Sequence, residues 1–184
     1  PLASPLARAR RFRRSPLGAQ RRKWLNALDD VLCLVWTCGL IEYQQVLYED
    51  NSECRINESL NLFGQWANNK SFSSTPLLLA FTKKDVFYQT WDAVRFKSVF
   101  ADFGGATADE GIAYLTEAFK SRLKNRAPGA PFSSFALDAT SAEDSVDLVT
   151  TIRQQVATSS SGMLMDAVQK TKDEMEKKNQ RRGS

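Results

Sequence analysis

The chain has 184 residues, of which 42% are hydrophobic and 25% charged, a composition typical of a globular protein with one domain-sized core. It contains no histidine. That excludes histidine-based metal sites, Ser-His-Asp triads and histidine general bases. No apolar run approaches the roughly 20 residues of a membrane-spanning helix, so no transmembrane segment is predicted.

The formal net charge of +4 is unevenly distributed along the chain. Eight of the 25 basic residues lie within the first 23 positions, and no acidic residue precedes Asp29. The rest of the chain contains the other 17 basic residues and all 21 acidic ones, so this part is acidic. We expect no nucleic-acid partner, because the body lacks a basic surface interleaved with aromatic residues.

The start of the chain is predicted to be a disordered basic arm. Its composition, rich in Arg and free of acids, also fits a transit peptide, which stays an alternative. Because the chain begins with Pro1 and not with Met, we expect further sequence upstream. Cys33, Cys38 and Cys54 are an odd number of cysteines, which indicates reduced, partly buried thiols in a cytosolic protein.

Hydrophobic periodicity predicts the first elements in chain order. A helix is expected near residues 21–30, and the apolar run 31–40 is typical of a strand buried on both faces of a parallel sheet. Apolar residues at i, i+4, i+7 and i+11 then predict an amphipathic helix over 54–69. A second buried strand is predicted over 75–81, with Pro76 at its start.

The second half of the chain continues the alternation of strands and helices. After "TKKD" the pattern is irregular until Thr107, which forms a capping box with Glu110 at the start of a helix that ends at "NRAPG". "PFSSFALDAT" is predicted to contain a weaker third strand, and Ser141 with Asp144 marks another helix start. The pattern predicts an α/β fold whose mostly parallel sheet carries helices on both faces.

Two loops of this predicted fold are candidate ligand sites, because parallel sheets bind ligands where their strands end. "TKKD" and "LDATS" each follow a predicted strand. A carboxylate such as Asp85 can accept both parallel donors of a guanine base, N1–H and the 2-amino group, an arrangement that adenine cannot match. Lys83 can lay its methylene stem over the ring, and a backbone N–H near Ala139 can donate to O6. Taken alone, "TKKD" also fits a solvated turn.

The wider sequence resembles the alpha subunits of heterotrimeric G proteins. "YQQVLYEDNSECRINESLNLFGQWANNKSF" is similar to a characteristic run of that family, and "RRKWLNALDDV" is similar to the helix after its D-V-G-G-Q. "TPLLLAFTKKDVF" resembles its base-reading strand and N-K-x-D loop, and "FALDATSAEDSVDLV" its T-C-A-T region and last helix. The resemblance covers residues 18–157. It implies the C-terminal part of a Ras-like P-loop GTPase domain, here 18–168, between the arm 1–17 and a charged tail 169–184.

The resemblance assigns roles to individual residues. Thr82, Lys83 and Asp85 match the guanine-reading loop, and Ala139 and Thr140 match the second one. D-V-G-G-Q aligns with residues 16–20, which makes Gly18 and Ala19 phosphate-proximal and places Gln20 where the water-orienting glutamine stands.

This sequence departs from the family at several of these positions. Pro16 replaces the metal-linked Asp, Ala19 the second Gly, Thr82 the Asn, and Asp138 the Cys of T-C-A-T. The phosphate-binding G-x-x-x-x-G-K-S/T loop, the arginine that stabilises the transition state and the switch threonine that binds Mg²⁺ have no counterpart in these 184 residues.

The resemblance implies a guanine nucleotide-binding signal transducer that acts with receptors. Its ligands would be GTP or GDP with Mg²⁺, although no residue here is assigned as a metal ligand. Its partners would be a βγ dimer, a receptor and an effector, and its location the cytoplasm or the inner face of the plasma membrane. GTP hydrolysis is expected to be impaired. The alternatives are a truncated, non-catalytic interaction module that uses helix 54–69, and a fragment that does not fold alone.

Overall fold

A three-stranded parallel sheet organises residues 31–158, the part of the chain that the computed structural model describes. The strands are β1 (Leu34–Gly39), β2 (Leu77–Thr82) and β3 (Phe132–Ala136), with β2 in the middle. The helices are α1 (Arg55–Ala67), α2 (Lys84–Gln89), α3 (Ala93–Val99), α4 (Ala108–Lys120) and α5 (142–158). Short 3₁₀ helices cover Leu40–Gln44 and Lys70–Phe72. The predicted helix at 21–30 lies outside the described residues.

The strand β2 is the centre of the core. Its residues Leu77 to Phe81 are all at most 1% exposed. In register with them, Leu34 pairs with Leu77 on one side and Phe132 pairs with Leu77 on the other. A strand with neighbours on both edges and helices on both faces needs a continuous apolar run, which is what "LLLAF" supplies.

Helices cover both faces of the sheet, as the sequence predicts. On one face, Trp36 of β1 packs edge-on against Phe63 of α1 at 5.6 Å between ring centroids, and Phe81 packs on Phe119 of α4 at 5.8 Å. On the other face, the Gln155 amide of α5 donates a hydrogen bond to the hydroxyl of Ser133 in β3. The predicted mostly parallel α/β architecture is therefore confirmed for the described residues.

The prediction for the first strand was partly wrong. The run 31–40 was expected to be buried on both faces, yet β1 begins only at Leu34, and Val35 is 37% exposed. Within residues 31–158, β1 pairs with β2 alone. Its Val35 and Thr37 side chains share a face that no residue between 31 and 158 covers, so the apolar run predicts the strand but not its degree of burial.

The stretch after "TKKD" was predicted to be irregular, and this was wrong. It forms α2 and α3, two helices of 6 and 7 residues. Both are too short to show a helical period. Aromatic packing holds them: Tyr43 lies against Phe87, Trp91 and Phe96 with ring centroids 5.0 to 6.2 Å apart.

The long helices follow the sequence closely. The capping box at the start of α4 is present, because the Thr107 hydroxyl accepts the Glu110 N–H while the Glu110 carboxylate accepts the Thr107 N–H. The helix ends at Lys120, before the predicted stop at "NRAPG", and Leu123 packs against the core from the following turn.

Candidate functional site

The two loops singled out in the sequence lie side by side at the carboxyl edge of the sheet. Where β2 ends, the Leu137 N–H donates to the Phe81 carbonyl at 2.8 Å. The Lys84 N–H then donates to the Leu137 carbonyl at 3.2 Å. These bonds extend the pairing of β2 and β3 into the loops, so "TKKD" and "LDAT" form one continuous surface.

The turn within "TKKD" has an unusual backbone. Lys83 adopts the left-handed conformation with φ 61° and ψ 38°, and among the described residues it is the one non-glycine residue with positive φ. This conformation costs an L-residue about 1–2 kcal/mol. It lets α2 begin directly after the strand and leaves the Lys83 side chain exposed. Strain of this kind concentrates at ligand sites.

Asp85 lies in the first turn of α2 and is half-buried. Its carboxylate makes no hydrogen bond or ion pair with any residue between 31 and 158. Asp92 differs, because it caps α3 and accepts the Val94 and Arg95 N–H groups. Asp85 therefore keeps its acceptor capacity for another molecule.

In the second loop, most backbone amides are already engaged. The Asp138 N–H donates to the Asp144 carboxylate at 2.7 Å, the Thr140 N–H to the Asp138 carboxylate at 2.8 Å, and the Ser141 N–H to the Asp138 carbonyl at 3.0 Å. Ala139 is exposed, and its N–H has no acceptor among the described residues. It is the open donor of this loop.

The Asp138 carboxylate forms hydrogen bonds within its own loop. Its Oδ1 accepts both the Thr140 hydroxyl at 2.7 Å and the Thr140 N–H. The hydroxyl bond, followed by the amide bond, lowers the pKa of the Asp138 carboxyl, and the charge of Lys84 contributes in the same direction. The carboxylate thus remains ionised at neutral pH while it closes a tight turn.

The structure brings together five of the residues proposed from sequence: Thr82, Lys83, Asp85, Ala139 and Thr140 lie on these two loops. Thr140 differs from expectation, because both of its donors are used within its own loop. Gly18, Ala19 and Gln20 lie outside the described residues. The roles of all eight stay predictions.

Sequence reasoning missed how the second loop is held. It identified Ser141 and Asp144 as a cap, and the Asp144 N–H does donate to the Ser141 hydroxyl at 3.2 Å. It did not foresee that the Asp144 carboxylate reaches back to Asp138, nor that Asp138 folds onto Thr140. The D-x-T spacing is typical of Asx turns, and it is the sequence signal from which the bond between the Thr140 N–H and the Asp138 carboxylate could have been predicted.

The end of β1 is an internal network and not an open site. Burial raises the pKa of the Cys38 thiol to about 12. The neighbouring Glu42 carboxylate pairs with Arg55 at 3.3 Å. Burial likewise raises the pKa of Cys33 and of Cys54. All three thiols are free, as the sequence predicts.

Neither a metal centre nor a membrane span is found in the described part of the chain. Residues 31–158 contain no cluster of three or more His, Cys, Asp or Glu side chains suited to a metal ion. Within the same residues, no helix has the length and apolar character needed to cross a bilayer.

In nucleotide-binding α/β proteins the ligand lies at the carboxyl edge of a parallel sheet, where the two candidate loops of this chain lie. Comparison with known proteins gives the family: the sequence model described as "G-protein alpha subunit" matches residues 12–156. The chain belongs to the G-protein alpha subunit family, and its sheet and helices form part of a Ras-like domain.

Individual relatives agree with this assignment. The chain is 36% identical over 117 residues to the guanine nucleotide-binding protein alpha-8 subunit of Dictyostelium discoideum, covering 61% of this chain and 29% of that protein. It is 37% identical over 102 residues to the alpha-3 subunit of Caenorhabditis elegans, covering 55% and 29%. It is 33% identical over 108 residues to the G(o) subunit alpha of Locusta migratoria, covering 58% and 30%. Each match thus spans about three-tenths of the relative.

Proposed function

We propose that this chain carries the guanine-reading part of a G-protein alpha subunit and binds GDP and GTP through their base. The observation that supports this most directly is the pairing of an unused acceptor with an unused donor. The Asp85 carboxylate and the Ala139 N–H lie on loops joined by the Lys84–Leu137 hydrogen bond. Neither group has a partner within residues 31–158, so both are available to a ligand.

The two open groups are complementary to guanine and not to adenine. The Asp85 carboxylate accepts N1–H and the 2-amino group, and the Ala139 N–H donates to O6. Adenine has no proton on N1, and its 6-amino group would oppose the Ala139 donor. The Lys83 stem, exposed beside the loop, covers the ring face.

Thr82 lowers the affinity of this site relative to family members that have Asn. It ends β2 as a half-buried residue, and its hydroxyl makes no hydrogen bond within the described residues. A Thr side chain is shorter than Asn and stiffer at χ1, so it reaches less far towards N7 of the base. Thr140, whose donors are used by Asp138, supports the loop without touching the base.

The remaining family functions are part of this proposal. GTP hydrolysis would use Gln20 to orient water, with Gly18 and Ala19 near the γ-phosphate. When bound, Mg²⁺ neutralises charge on the phosphates. Since Pro16 and Ala19 replace family residues there, we propose that hydrolysis is impaired. A βγ dimer, a receptor and an effector are the proposed partners, at the inner face of the plasma membrane.

A titration with fluorescent GDP and fluorescent ADP tests the base site. We expect saturable GDP binding and a preference over ADP that Asp85→Asn abolishes. An Asn amide presents one acceptor and one donor, so it loses the bond to the guanine 2-amino group and places its own donor there. The expected loss is roughly 10- to 100-fold.

Xanthosine diphosphate provides the reciprocal measurement. Xanthine has a carbonyl at position 2, which an Asn amide can donate to, so Asp85→Asn should gain affinity for it. Asp147→Asn is the matched control, because it removes an exposed carboxylate from α5 without touching either loop. If Asp85→Asn keeps the GDP preference of the unsubstituted chain, Asp85 does not read the base.

A second candidate function is an interaction module without nucleotide turnover. The observation that favours it is a cavity of about 410 Å³ between α1 and α4, whose lining includes Leu60, Phe100 and Tyr114. A chain that melts cooperatively but binds no GDP would support this module. A far-UV spectrum without a cooperative melt would instead support a fragment that does not fold alone.

A further inference from the structure

The loop after β3 contains an acid, Asp138, at the position next to the proposed O6 donor. An acid beside a nucleotide site is expected to repel the phosphates if its charge faces the ligand. In the structure its carboxylate instead turns back on its own loop. Oδ1 accepts the Thr140 N–H at 2.8 Å and the Thr140 hydroxyl at 2.7 Å.

The contacts of Asp138 form a closed set around Ala139. Its N–H is held by the Asp144 carboxylate, its carbonyl accepts the Ser141 N–H, and its side chain holds Thr140. The residues on both sides of Ala139 are thus fixed by hydrogen bonds. Leu137, the residue before Asp138, is tied to β2 and α2 through Phe81 and Lys84.

We propose that Asp138 is a positioning residue for base recognition: its carboxylate fixes the loop so that the Ala139 N–H alone is presented to the O6 atom of guanine. This inference rests on the proposed function, since it assigns a role within the same site. Asp138 does not contact the base. It sets the direction of the one backbone donor that the loop has left open.

Two substitutions separate this role from charge repulsion. Asp138→Asn keeps a carbonyl oxygen that can accept the Thr140 N–H but removes the charge, whereas Asp138→Ala removes both. Positioning predicts that Asp138→Ala weakens GDP binding about threefold to tenfold, while Asp138→Asn stays within about twofold. Charge repulsion predicts that both variants bind GDP more tightly. Asp147→Ala controls for the loss of a negative charge on α5.

A base analogue assigns the effect to O6. In 6-thio-GDP a sulfur, a weak acceptor, replaces that oxygen. The loss caused by Asp138→Ala should therefore be smaller for 6-thio-GDP than for GDP. An equal loss for both nucleotides would mean that Asp138 acts on some other part of the site, and the inference would be wrong.

Amide hydrogen exchange measured by NMR gives a readout that needs no nucleotide. The Thr140 amide should exchange slowly in the unsubstituted chain and faster in Asp138→Ala, with α5 still protected. If Thr140 exchanges at the same rate in both proteins, the inference about Asp138 is wrong, but the proposed function is unaffected. Absence of GDP binding to the unsubstituted chain would overturn the proposed function and this inference together.

Discussion

At the amino edge of the sheet, where β2 and β3 begin, side chains take up the polar backbone groups, whereas the carboxyl edge leaves a carboxylate and an amide open. The Arg126 guanidinium donates to the carbonyls of Phe72, Thr75 and Pro131 at 2.6 to 3.1 Å. Asp85 and the Ala139 N–H, at the other edge, have no such partners within residues 31–158.

Asn68 shows the same behaviour at the amino edge. Its amide donates to the Gly64 and Arg122 carbonyls at 2.7 Å, and its oxygen accepts the Lys124 and Asn125 N–H groups at 2.7 and 3.0 Å. One side chain thereby joins the end of α1 to the turn after α4. The Arg126 and Asn68 side chains thus bond several backbone groups at the amino edge, although Arg126 Nε has no partner among the described residues, whereas the Asp85 carboxylate and the Ala139 N–H at the carboxyl edge have none there.

The largest effect is expected from Arg126→Ala. It removes three hydrogen bonds, and although the Phe72 and Pro131 carbonyls keep the Thr75 and Leu77 N–H groups, the Thr75 carbonyl loses its donor, at a cost of about 3 kcal/mol in the free energy of unfolding. Urea denaturation measures this cost. The proposed GDP-over-ADP preference should persist, because Arg126 lies at the opposite edge from the two candidate loops. Arg153→Ala, on the exposed surface of α5, should change stability little. A loss of preference in folded Arg126→Ala would contradict the separation of the two edges.

A smaller effect is expected where aromatic packing supports α2, the helix that begins in the "TKKD" loop. A Cβ on Gly111 would lie 2.5 Å from Cη2 and 2.7 Å from Cζ3 of Trp91, whose ring packs on Phe87 of α2. Gly111→Ala should therefore cost about 2 kcal/mol by overpacking. Gly104→Ala is the control, since no described atom lies within 4 Å of its Cβ position. Equal melting temperatures for the two variants would show that Trp91 can move freely.

The smallest effect concerns a polar group that lies at the carboxyl edge but is used internally. Burial raises the pKa of Cys38 to about 12 from an ordinary value of 9.0. Between these values the unfolded chain loses the thiol proton while the folded chain keeps it, so the thiol's contribution to stability is present below pH 9 and falls as pH rises. From pH 8 to pH 10 the loss should be about 1 kcal/mol. Urea denaturation of Cys38→Ala at both pH values should show a smaller decrease, and an equal decrease would exclude Cys38 as its cause.

Much of the described fold could be read from local patterns. The apolar run "LLLAF" predicts β2, the apolar spacing over 54–69 predicts α1, and Thr107 with Glu110 predicts the start of α4. The site loops followed from their position after two parallel strands. α2 and α3 could not be predicted, because their stability comes from Tyr43, a residue distant in sequence, and not from their own period.

The sequence by itself determined the family, the parallel α/β pattern and the two candidate loops. These follow from local patterns, because the spacing of apolar residues and the caps of helices involve residues only a few positions apart. Only the tertiary structure decided which polar groups remain open. The Lys84–Leu137 hydrogen bond joins loops that are far apart in the chain. The Asp138 carboxylate accepts the Thr140 N–H, whereas the neighbouring Ala139 N–H has no acceptor among the described residues. Whether a donor is satisfied depends on the three-dimensional neighbours of each atom, which a one-dimensional pattern does not encode.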